Sequence, residues 1–220
     1  MQVHALGYRP RRRPLLNDVL MVIGGVLLAY GGWQGVAALQ DQWAAGAARS
    51  AVRQEMSTDL DRIAYRLAAQ PCITRRLDQI AALLADGAVV PAGLKIGVPG
   101  EAGLDDDQWR ESVNGGMANR QPDADQAAQA FFYTSAHALD AYAHEEFQTW
   151  AQLRVLERGA PAPATRLALQ QALATARGDA AAFESLARDT LAQARAYGLT
   201  PQPGRTPAIA NTTCRPLRGG

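Results

Sequence analysis

A single lysine, Lys95, stands among 22 basic residues. The rest are arginines, and with so much alanine this bias suggests a bacterium with a GC-rich genome. Acidic residues number 21, so charge nearly balances and no basic stripe is available to hold nucleic acid; no nucleic-acid partner is expected. Histidine occurs three times and cysteine twice, which offers no Cys/His zinc framework. No GxSxG elbow, P-loop, HExxH pair or dinucleotide fingerprint occurs. Ser57, Ser112, Ser135 and Ser185 lack any nucleophile context. The expectation is therefore a non-enzyme without cofactor or metal. Hairpin chemistry, internal repeats and low-complexity blocks are also missing, which points away from β structure and from solenoids.

Charge is absent altogether from Val19 to Leu39, where Gln34 is the only amide side chain. As a helix this run reaches roughly 31 Å, about the hydrocarbon thickness of a bilayer. It reads as one transmembrane helix over residues 19–39, after a basic stub of residues 1–18. Arg9, Arg11, Arg12 and Arg13 precede it, and Asp41 follows. Excess arginine stays cytoplasmic, so the N-terminus is placed inside and the following domain in the periplasm, anchored to the bacterial inner membrane. Trp33 and Trp43 suit the interfacial belt at the outer end. The competing reading is a cleaved signal peptide ending at Ala45-Gly46-Ala47, although its apolar region exceeds the usual secretory length. A twin-arginine signal at Arg12-Arg13 fits the following residues poorly. A stub this short holds no kinase or cyclase output, so any signal is expected to pass to a separate membrane protein.

The span carries five glycines. Gly24, Gly31 and Gly35 fall on one stripe, and Gly25 and Gly32, with Ala29, on the next. Small residues four and seven apart allow close backbone approach, making the span a candidate for helix–helix association. The competing reading is that glycine is simply common in membrane helices.

Beyond the span the periodicity is helical. Val52, Met56, Leu60, Ile63 and Leu67 mark one face of a helix leaving the membrane. Pro71 then starts a second helix bearing Ile73, Leu77, Ile80 and Leu84 and ending near Gly87, or else kinks one long helix. Residues 88–104 hold four glycines and two prolines and no period. Asp105, Asp106 and Asp107 supply caps for a short helix with Trp109 and Val113, stopped at Asn114-Gly115-Gly116. A third long helix is expected from about Pro122 to Glu157, with Phe132, Ala136, Leu139, Ala143, Phe147, Trp150 and Leu153 inward. A fourth, about 164–198, keeps a near-heptad stripe through Leu169, Leu173, Phe183 and Leu191 without a phase change at Gly178. The whole predicts an all-α chain: the membrane helix, then an up-and-down bundle over residues 40–199 with an irregular insert at about 88–121. Residues 200–220 form an extended tail.

Cys72 and Cys214 both lie in the exported part, the arrangement expected of one disulfide in an oxidising compartment. Two unrelated thiols, or a bridge between two chains, are the alternatives. His137, Asp140 and His144 have a spacing that can gather ligands, yet they lie well off the apolar stripe and read as solvated. Glu145-Glu146 is likewise read as surface. The segment from Trp109 to Met117 is the candidate interaction surface.

The basic stub, one uncharged span, then Pro71-Cys72-Ile73-x-Arg75-Arg76-Leu77-Asp78, an irregular stretch, a Trp helix, two long helices and a late Cys resemble a group of uncharacterised bacterial single-pass membrane proteins. That resemblance implies the same topology and no catalytic residues. Two functional classes follow. The first is an interaction or scaffold protein whose partners are the lipid bilayer and another membrane or periplasmic protein, or a second copy of itself. The second is a periplasmic ligand-sensing module that signals through a separate membrane partner.

Overall fold

The computed structural model describes residues 14–85, 88–100, 103–201, 212–215 and 217. The stub arginines, the helix end expected at Gly87 and most of the tail lie outside the described residues. Every regular element among the described residues is helical. The chain divides after Ala47 into two units.

Helix α1 runs unbroken over Pro14–Ala68. Its proline sits in the first turn, where no intrahelical N–H is needed. In the first unit it is a bare apolar rod: Leu28 is 80% exposed and Trp33 74%. This helix is long and apolar enough to cross a membrane. None of Gly24, Gly25, Gly31, Gly32 and Gly35 has a neighbour where a Cβ would stand.

In the second unit α1 turns amphipathic and buries Val52, Met56, Leu60 and Ile63 completely or nearly so. It stops at Ala68, and α2 spans Gln70–Leu84. Pro71 has no N–H to continue the α1 ladder, so a new helix begins within one residue; Cys72 N–H already bonds Ala69 O at 2.9 Å. Of the two readings open at Pro71, separate helices are what forms. Helix α3 covers Asp107–Asn114, α4 Asp123–Leu153 and α5 Pro163–Ala196, with 3₁₀ turns at Ala118–Arg120, Arg154–Arg158 and Thr212–Cys214. The third long helix therefore tightens into a 3₁₀ turn before Gly159, and α5 passes Gly178 without interruption.

Two core clusters set the directions. One joins α1 (Val52, Met56, Leu60, Ile63) to the first half of α4 and the last half of α5. The other joins α2 (Ile73, Leu77, Ile80, Leu84) to the end of α4 and the first half of α5. Each buried Leu or Ile contributes about 1.5–3 kcal/mol in transfer free energy. Along α1–α2 and α4 the matched positions rise together, whereas in α5 they fall. So α1–α2 forms one column, α4 lies parallel to it, and α5 returns antiparallel after a short turn. This corrects the strictly up-and-down order. Parallel neighbours need a connection that travels back along the bundle, and residues 85–122 supply it. Leu94 and Ile96 belong to the second cluster, Leu104 and Trp109 to the first. The irregular insert is a crossover.

Candidate functional site

The crossover is gripped where it reaches the first cluster. Glu55, Asp59 and Arg62 are four and three residues apart on α1, hence on one face. Glu55 accepts the backbone N–H groups of Gln108 at 2.8 Å and Trp109 at 3.3 Å. Its Oε1 also accepts the Tyr133 hydroxyl at 2.5 Å. Asp59 accepts the Asp105 N–H at 3.3 and 3.2 Å through its two oxygens. Arg62 donates to Asp59 at 3.1 Å, Gly103 O at 2.5 Å and Asp105 at 2.7 Å. The first turn of α3 is thus capped by a carboxylate from another helix.

That arrangement corrects the capping role expected of Asp105–Asp107. Asp106 occupies the cap position but makes no side-chain capping bond. Val113 on this helix is 46% exposed, and Ser112 is buried. Gly116, at φ +69°, ends the segment with a backbone conformation that a Cβ disfavours. Trp109 is half-buried and stacks on Tyr133, centroids 5.2 Å apart and planes within 6°. Met117 is half-buried too. One face of the Trp109 indole is therefore engaged inside the molecule.

Burial raises Asp59 to about 7, against the opposing Asp105 N–H and Arg62. Burial, then the hydrogen bond to Glu55, pushes the Tyr133 phenol well above its ordinary range. The clasp is a cluster of acids and a phenol closed over by the crossover, with a shallow cleft of about 380 Å³ beside Glu55, Thr58 and Asp105.

A second polar group sits in the middle of the bundle. Arg66 on α1 pairs with Glu146 on α4, both 1% exposed. Arg66 also donates to Gln70 Oε1 at 3.0 Å and lies 4.8 Å above the Phe183 ring. Gln70 in turn donates to Ala180 O at 2.9 Å. One salt bridge thus ties α1, α2, α4 and α5 together. Glu146 is not at the surface, which corrects its expected place. Burial raises its pKa despite the Arg66 charge. Glu145, by contrast, is exposed.

A third group anchors the loose ends. The Arg76 guanidinium, 2% exposed, donates to four carbonyls. These are Lys95 O at 3.0 Å, Ile96 O at 2.6 Å, Thr213 O at 3.1 Å and Arg215 O. It gathers the crossover and the tail onto α2. Beside it the sulfurs of Cys72 and Cys214 are at bonding distance, with Cα atoms 4.9 Å apart.

His137, Asp140 and His144 are exposed, and His137 Nε2 comes within 3.5 Å of Asp106. No group of three metal-ligating side chains occurs among the described residues. Of the residues that organise the domain, Asp59, Arg66 and Arg76 were given no role from the sequence, and Glu146 was read as surface. Each nevertheless falls on an apolar stripe: Asp59 and Arg66 between Met56, Ile63 and Gln70, Arg76 beside Ile73 and Ile80, Glu146 between Ala143 and Trp150. A charge at an inward position of a helical period was the available signal. A comparison with protein-family models, with curated proteins and with solved structures finds no match for this chain.

Proposed function

We propose that this is a membrane-anchored interaction or scaffold protein of the bacterial inner membrane, with its N-terminus cytoplasmic and its helical domain periplasmic. It acts by helix–helix association. The observation that carries this reading is the apolar stretch of α1. From Val19 through Leu39 every Val, Leu, Ile, Met, Tyr and Trp side chain is at least half uncovered. A surface of that size is not left to water, and lipid or another span is its natural covering. The open space at Gly24, Gly31 and Gly35 permits a second helix to approach. The disulfide fits an oxidising compartment.

The test is extraction and topology together. The full chain should stay with membranes in alkaline carbonate and leave only in detergent. A reporter active only in the periplasm should work when fused after Gly220 and fail before Val19. Release by carbonate, or the reverse reporter pattern, overturns the reading.

A further inference from the structure

Where the start of α4 and the end of α5 meet α1, a hollow remains, lined by Arg53, Met56, Asp125, Gln129, Tyr197 and Leu199. Its volume is about 140 Å³, and a cavity of about 150 Å³ takes a guest the size of benzene. We propose that this hollow binds a small 2-hydroxycarboxylate, its carboxylate on Arg53 and its hydroxyl donating to Gln129 Oε1. The proposal stands independently of how the protein is anchored.

Gln129 carries the argument. It is 2% exposed, and its Nε2 is committed to Gln121 Oε1 at 2.7 Å. Gln121 is steadied in turn, because Gln126 Nε2 donates to its carbonyl at 2.8 Å. The amide of Gln129 is therefore fixed, and its buried Oε1 accepts no hydrogen bond among the described residues. A buried acceptor left bare is costly, so this position calls for a donor. Asp125 lies one turn before Gln129 on α4, hence on the same face. It is ion-paired to Arg49 and, at 3.1 Å, to Arg53. Two guanidiniums against one carboxylate leave a positive excess at the rim, since Asp123, two residues back, faces away. Asp125 takes one N–H of Arg53, and a guanidinium has five. The Arg53 side chain is about half exposed, so an edge remains for a second carboxylate. Buried Met56, Ala128 and Leu199 make the floor apolar.

These features select the guest. A plain carboxylate satisfies Arg53 but leaves Gln129 Oε1 bare. An ammonium group satisfies Gln129 but meets the excess positive charge of the two arginines. A 2-hydroxy acid answers both, with an anion for the rim and a neutral donor for the depth. Its three-carbon member, lactate, has about as many non-hydrogen atoms as the hollow admits.

Titration of the full chain in detergent micelles with sodium lactate, at constant ionic strength, tests this. NMR reads the Gln129 side-chain amide and the Leu199 backbone amide, and lactate should shift both saturably. Propionate, which lacks only the hydroxyl, should bind on the order of 10-fold more weakly. Alanine should also bind more weakly than lactate. Ala124 is an exposed residue in the wall of the hollow, so Ala124→Leu fills the space without entering the core and should abolish the shift. Arg53→Gln should weaken lactate and propionate alike. The absence of a saturable shift would mean that water alone fills the hollow, and it overturns the proposal. Equal affinities for lactate and propionate, tighter binding of alanine, or lactate binding that survives in A124L overturn it too. Should A124L not fold, R53Q decides: weakened lactate binding supports the site, and unchanged binding refutes it.

Discussion

Replacing Arg66 by alanine should destabilise the helical bundle by about 3–5 kcal/mol, the ordinary consequence of leaving one member of a buried ion pair alone. Glu146 would then sit 1% exposed with no counter-charge. Gln70 would lose the donor to its Oε1, and the Phe183 ring its cation. Glu146→Ala should cost about as much, because a guanidinium tolerates dehydration no better. The double change Arg66→Met with Glu146→Leu is expected to return to within about 1 kcal/mol of the wild type, or to exceed it, since apolar replacements of similar volume often match a buried pair. Urea unfolding of the four proteins measures this directly. Equal and additive losses in the double variant would show that the pair is not coupled.

Loss of the Cys72–Cys214 bond is the second large expected effect. The two cysteines are 142 residues apart, and in the chain-entropy account a closure of that length contributes about 4–5 kcal/mol. Among the described tail residues, Leu217 also packs against the second core cluster. Arg76 retains Thr213 O and Arg215 O, but it must then fix an unanchored chain end against its own entropy. Cys72→Ser should therefore lower the urea midpoint markedly, and the segment near Cys214 should become protease-sensitive before the bundle unfolds. Arg76→Ala in the disulfide-bonded protein should loosen residues 94–96 as well, because the same guanidinium holds Lys95 O and Ile96 O. Non-reducing peptide mapping should show the link within one chain. Dimers held by this bond would replace the account of the tail with one of covalent association.

Much of this fold was legible from period alone. Except for Phe147, which is half-buried and outside both core clusters, the inward stripes of α2, α4 and α5 fall where the sequence places them, because long amphipathic helices allow only one low-energy choice of buried face. Direction was less legible. Antiparallel order was inferred from short connections, and it holds between α4 and α5, whose turn is short. It fails for α1–α2 and α4, because a glycine- and proline-rich stretch carries no period to show that it runs back along the bundle. The site was least legible. Glu146 looked like half of a surface acid pair with Glu145, yet it occupies the same stripe as Ala143 and Trp150. Its partner lies 80 residues away on α1, and no local pattern encodes that pairing. The cap of α3 was invisible for the same reason, since Glu55 serves it from 53 residues upstream.

If the protein works by association through its apolar N-terminal helix, cross-linking in intact membranes followed by purification in mild detergent reads that association directly. Wild type should yield one discrete complex, whether with a second copy or with another membrane protein. Gly31→Leu with Gly35→Leu fills the open side of the span, where a Cβ on either glycine would meet no neighbouring segment within 4 Å. That variant should lose most of the complex while the bundle unfolds at the wild-type urea concentration. His137→Ala with His144→Ala should leave the complex unchanged. A complex that survives the leucine substitutions, or one abolished by the histidine substitutions, would contradict the account.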